Sequence, residues 1–125
     1  MLVGRFAMVQ SYRDLIAWQK AMAMVTHVYE ITKVFPDDEK FGLTSQMRRC
    51  AVSVPSNIAE GHSRNSQAEF RRFLSIARGS NAELTTQLMI ANNLGYLPDS
   101  TTSLKMVDEV GRIISGLIKS LPSKN

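Results

Sequence analysis

The stretch SQAEFRRFLSIARGSNAELTTQLMIANNLGY, residues 66–96, decides the fold. Ser66 followed three residues later by Glu69 has the pattern of a capping box, in which each partner satisfies a backbone N–H at the start of a helix. Phe70, Phe73, Leu74, Ala77, Leu84, Leu88 and Ala91 then keep the spacing of one helical face, where a strand would alternate apolar and polar positions. Gly79 and Ser80 interrupt the bulky stripe. A mid-helix glycine costs about 1 kcal/mol of propensity relative to alanine, so Gly79 suggests close approach by another helix. Leu94, Gly95 and Tyr96 end the segment.

Working outward, the same period recurs three times. Upstream, Leu43, Met47, Cys50, Ala51, Val54 and Ile58 follow Gly42, with Thr44 as the expected cap. Pro55 lies inside this pattern, cannot donate to the Ala51 carbonyl, and is expected to bend the helix or divide it after Val54. Leu15, Trp18, Met22, Val25, Tyr29 and Thr32 predict a first helix over about residues 12–33, capped by Ser11 and stopped by Pro36 and Gly42. Beyond LPDS, Leu104, Val107, Val110, Ile114, Leu117 and Leu121 predict a last helix that Pro122 stops.

Four apolar stripes joined by short connections imply an all-α protein, an antiparallel up-down four-helix bundle. The 125 residues suit one domain over 1–125, with an ordered core from about 12 to 121. Ile16, Met24, Val28, Met89, Met106, Ile113 and Ile118 fall outside the narrowest seams. They fit an oligomer interface and a broad monomeric core equally well.

Composition narrows the function classes. A 44% apolar, 21% charged chain is no disordered segment, and its formal net charge of +4 gives a mild bias toward acidic partners. The lone cysteine, Cys50, excludes an intrachain disulfide framework. The N-terminal stretch MLVGRFAMVQSYRD is too short and too broken by Arg5 for a membrane span, and it has no clear cleavage signal. A cytoplasmic protein with no membrane association is the expectation.

No residue is assigned a catalytic role. The glycines are isolated, so no phosphate loop exists, and His27 and His62 lack the neighbours of a metal site; neither metal nor organic cofactor is expected. Cys50 sits on an apolar face and reads as a packed small residue, because a nucleophile needs an exposed thiolate and an aligned base. Glu60 and Glu83 raise the question of a carboxylate pair in a hydrolase. The competing roles are structural, with Glu60 satisfying donors at its helix end and Glu83 pairing with Arg48 or Arg49.

The basic residues are the more informative polar feature. Arg64, Arg71, Arg72 and Arg78 are the candidates for phosphate contact, since guanidinium forks suit phosphate oxygens without reading bases. Salt bridges between subunits, or a solvated coat, are the alternative. Neither an aromatic RNA-binding sheet motif nor a short recognition helix is present to sharpen the first reading.

The segments DLIAWQKAMAMVTHVYEIT, FGLTSQMRRCAVSVPSNIAEGHSR, EFRRFLSIARGSNAELTTQL and LGYL, in this order over about residues 12–97, resemble the family of four-helix-bundle proteins encoded in intervening sequences of 23S ribosomal RNA genes. The resemblance implies an up-down bundle, a ring-shaped homo-oligomer, specifically a homopentamer, and no enzymatic activity. It also implies a distant similarity to basic accessory proteins of diversity-generating retroelements, which associate with reverse transcriptase and RNA. Arg48, Arg49, Pro55, Asn57, Glu60, Gly61, Phe70, Phe73, Gly79, Ser80 and Glu83 match the family-like pattern. Of these, Arg48, Arg49, Asn57, Glu60, Ser80 and Glu83 form the implied polar network or interface. The combined expectation is a non-enzymatic, homo-oligomeric scaffold or adaptor that recruits RNA or a nucleic-acid-handling protein. The alternatives are a purely structural interaction module and, third, a hydrolase using Glu60 and Glu83.

Overall fold

The computed structural model describes residues 11–122, so the N-terminal stretch from which a span and a leader were argued away lies mostly outside the described residues. Four helices follow one another: α1 Ile16–Thr32, α2 Leu43–His62, α3 Gln67–Asn93 and α4 Thr101–Ser120. Short 3-10 turns precede α1 at Tyr12–Asp14 and α2 at Asp37–Glu39. Among the described residues there is no strand. Helix α1 packs on α2 and α4, and α3 packs on the same two, while the backbones of diagonal pairs stay apart. That cycle of neighbours, closed by short connections, is the expected up-down bundle.

The core follows the predicted faces of α2, α3 and α4. Met47, Val54, Ile58, Leu74, Leu84, Leu88, Val107, Val110 and Ile114 are all fully buried. Helix α1 is turned from its expected phase. It buries Ala17, Ala21, Met24, Val28 and Thr32, whereas Met22 is 43% exposed and Tyr29 also reaches solvent. Met24 and Val28, expected outside the seam, are therefore core. Apolar residues run nearly around this helix, so periodicity does not single out one face. Ala17 and Ala21 decide the phase by letting the α1 backbone approach its neighbours closely.

Helix termini show where local signals compete. Ser66 Oγ accepts the Glu69 N–H at 3.2 Å, as expected, but the Glu69 carboxylate turns to Arg72 and Arg64, so only half of the capping box forms. Thr44 does not cap α2; it is buried, and Glu39 Oε1 instead accepts the Leu43 N–H at 3.0 Å. Helix α2 is not divided at Pro55, which is buried within a continuous helix. Helix α3 ends in a Schellman turn: Tyr96 N donates to Ala91 O and Gly95 N to Asn92 O, with Gly95 in the left-handed region at φ +80°. Asn92 Nδ2 closes the turn on Leu97 O at 2.8 Å.

Two glycines have opposite roles. A Cβ on Gly61 would lie 2.6 Å from Phe73 Cβ, so the absence of a side chain lets α2 meet α3 there. Gly79, expected to serve helix approach, faces open space within 4 Å. Its neighbour Ser80 makes the close contact, with its Oγ 2.6 Å from Ser53 Oγ.

Candidate functional site

The arginines divide among three places. Arg48 Nε donates to Thr32 Oγ1 at 2.8 Å, Nη2 donates to Tyr29 O at 3.3 Å, and the guanidinium lies 4.6 Å from the Tyr29 ring centroid. A cation thus sits at the carbonyl-rich end of α1, where the helix dipole favours it, and fastens α1 to α2. Arg71 does the same for α4, donating to Leu121 O at 3.0 Å and to Pro122 O.

Arg64 and Arg72 meet at the α2–α3 corner. Their guanidinium carbons lie 5.1 and 4.6 Å from the Phe73 ring centroid. Arg64 Nε reaches Glu60 Oε2 at 2.9 Å, and Arg72 Nε reaches Glu69 Oε2 at 3.2 Å. Hydrogen bonding from Arg72 holds the Glu69 carboxyl below its ordinary value. Two cations face two carboxylates, so this corner is neutralised from within. Arg78 stands apart along α3, its nearest partner being Ser115 Oγ at 3.5 Å, the limit of a hydrogen bond. The four candidate arginines do not form one strip.

The expected polar network also separates. Asn57, Ser80 and Glu83 do come together with Ser53 and Cys50 between α2 and α3. Asn57 Nδ2 donates to Ser53 O at 2.8 Å, Ser53 and Ser80 share a hydroxyl contact, and Cys50 Sγ donates to Ser80 O at 2.9 Å and lies 3.8 Å from Glu83 Oε1. Burial first, then the Glu83 charge, pushes the Cys50 thiol up to about 11. Such a thiol is protonated and a poor nucleophile at neutral pH. Arg48 is engaged elsewhere, and Arg49 is exposed with no ion pair among the described residues. Glu60 belongs to the arginine corner. Ten residues of helix, about 15 Å, separate it from Cys50 and hence from Glu83, so no carboxylate pair forms.

A further feature was missed by sequence reading. Between α3 and α4 runs a groove of about 470 Å³ whose lining includes Arg78, Asn81, Gly111, Arg112, Ser115 and Lys119. Asn81 is 5% exposed; its Nδ2 donates to Val107 O at 2.8 Å, and its Oδ1 is buried without a partner. The signal was available. Position 81 continues the Ala77, Leu84, Leu88 face, so an amide there is a polar group in the core stripe. Elsewhere, His27 Nε2 contacts Ser103 Oγ at 2.6 Å between α1 and α4. Partial burial lowers its pKa.

The sequence pattern of the family described as 23S rRNA-intervening sequence protein matches residues 13–116. The chain belongs to this family. Among solved structures it resembles a Bacteroides thetaiotaomicron protein, described as of unknown function and from the S23 ribosomal protein family, with a TM-score of 0.77 and 20% identity over 84% of this chain and 96% of that one. At that identity the likeness speaks to the fold. Curated proteins give no match. Within this intervening-sequence family member, the match spans all four helices and ends at Gly116, inside the groove. No described helix is long and apolar enough to cross a membrane, and no described group of three or more His, Cys, Asp or Glu is placed to hold a metal ion.

Proposed function

We propose that the chain is a non-enzymatic helical scaffold that assembles with copies of itself, in a ring of five as the family resemblance implies. The observation that carries this reading is the apolar surface at one end of the bundle. Phe41 is 90% and Val34 80% exposed in the α1–α2 connection, and Ile90 and Leu94 reach solvent at the end of α3. These positions share an end because Tyr96 Oη donates to Glu39 Oε2 at 2.9 Å, tying the two connections together. Large apolar side chains gathered in water favour a protein contact that removes them from it. The non-enzymatic part is supported by the inert Cys50 thiol and the separation of Glu60 from Glu83.

Sedimentation equilibrium tests the reading. The wild-type chain is expected as a discrete oligomer, and a Phe41→Glu, Val34→Glu variant as a monomer of unchanged helix content. A wild-type monomer at high micromolar concentration, or a variant that assembles unchanged, would refute it.

A second reading, recruitment of RNA or a nucleic-acid-handling protein, is favoured by one observation: Arg78, alone among the four candidate arginines, engages neither a carboxylate nor a backbone carbonyl. Salt-dependent RNA binding lost on Arg78→Gln and kept on Arg72→Gln is its expected signature. Equal losses in both variants, or no binding, would remove it.

A further inference from the structure

The two ends of the bundle are finished differently. At the end that carries Phe41, buried Phe35 and Leu97 close the core, and the Phe35 and Tyr96 ring centroids lie 5.6 Å apart, so Phe41 stays outside. At the opposite end the α2–α3 connection is Ser63, Arg64, Asn65 and Ser66, all exposed, and it supplies no apolar side chain to close the core. A cleft of about 530 Å³ remains there, where Leu15, Phe70, Leu117 and Leu121 meet beside His62. Concave, largely apolar surface of this size is suited to enclosing an apolar group.

Charge decides what each end can meet. The turn that leads to Phe41 holds Asp37, Asp38 and Glu39 against Lys40. Two such ends face to face would set carboxylates against carboxylates, and like charges across an interface are disfavoured. The cleft is the complement. Among the described residues no carboxylate lines it, and Arg71, which has no ion pair among them, is held at its wall by the Leu121 and Pro122 carbonyls.

We propose that a second copy of this chain occupies the cleft, its Phe41 entering against Phe70 and Leu117 and its Asp37 and Asp38 turned toward Arg71. The contact is head to tail. Each copy then offers two different surfaces, so the contact repeats from copy to copy and does not stop at a pair. The inference rests on the assembly reading and names the surface that the Phe41 end meets.

Sedimentation of two complementary variants, alone and mixed, tests it. Phe41→Glu with Val34→Glu blocks the projecting end, and Ser120→Glu with Leu121→Glu, at the cleft, blocks the other. Each is expected as a monomer with wild-type helix content by circular dichroism. Their equimolar mixture is expected to form a species of two chains, one of each variant and none larger, because one working cleft and one working Phe41 remain. Ser120→Glu by itself changes an exposed side chain whose one bond is to Leu117 O, and is expected to weaken association at least about tenfold by like-charge repulsion. A cleft variant that assembles like the wild type would overturn the proposal while the assembly reading stands, as would folded variants that stay monomeric when mixed, or association unchanged in Ser120→Glu. Assembly that persists in the Phe41 variant would remove the assembly reading and this inference with it.

Discussion

The two seams of helix α3 are built on opposite plans. Toward α2 it is closed: Gly61 admits Phe73, Ser80 meets Ser53, and Asn57 and Cys50 find backbone or hydroxyl partners. Toward α4 it is open, with glycines along a cationic groove and an amide oxygen left without a donor. Small residues occur on both sides, so residue size does not separate the seams. What separates them is whether a neighbour occupies the space that the small residue leaves. Polar satisfaction does not separate the seams by itself, because Gln87 Oε1, seven residues after Ser80 and so on the same face of α3, is also buried without a partner.

The largest effect should come from breaking the closed seam. Gly61→Ala places a methyl 2.6 Å from Phe73 Cβ, an atom fixed to its backbone, and is expected to destabilise the chain by about 1–3 kcal/mol in urea denaturation. No loss of stability would mean that α2 and α3 separate easily at this corner.

In the open seam the expected sign reverses. Asn81→Leu removes the orphaned oxygen at similar volume, while Val107 O remains within its own helix, so stability should rise by about 1 kcal/mol. A loss of similar size would show that the Asn81–Val107 bond outweighs the unmet acceptor. Gly79→Ala, on solvent-facing helix with nothing near its Cβ, should gain up to about 1 kcal/mol from propensity alone. Thermal melting that placed Gly79→Ala beside Gly61→Ala would erase the contrast between filled and unfilled space.

The smallest effect is chemical. Cys50 should react slowly with iodoacetamide at neutral pH, its rate rising as pH approaches its raised value of about 11. Glu83→Gln should lower that midpoint only in part, because burial is the larger cause and Glu83 the second. Fast alkylation at pH 7 would mean that the closed seam opens readily.

The sequence-level expectations differed in how far they carried. The apolar faces of α2, α3 and α4 were legible because polar residues fill most of the opposite positions, although Val52, Ile76, Met89 and Ile90 reach solvent. The phase of α1 was not, since its apolar residues nearly encircle it and only packing of Ala17 and Ala21 selected a face. Of the candidate site, Ser80 and Asn57 were placed in a common polar network and meet there. The four arginines, grouped by nearness in sequence, were distributed by their partners to a helix end, a carboxylate corner and a groove.

By itself, the amino-acid order determined that four amphipathic helices exist, roughly where they lie, and which face three of them bury, because helical period acts within a few residues. The starts of α1 and α2 were set otherwise, since Ser11 caps the 3-10 turn before α1 and Glu39 takes the place expected of Thr44. Tertiary structure alone decided the phase of α1, which glycines are packed, where each guanidinium finds its partner, and that Asn81 Oδ1 lacks one. Those outcomes depend on contacts between residues far apart in the chain, which no local pattern encodes.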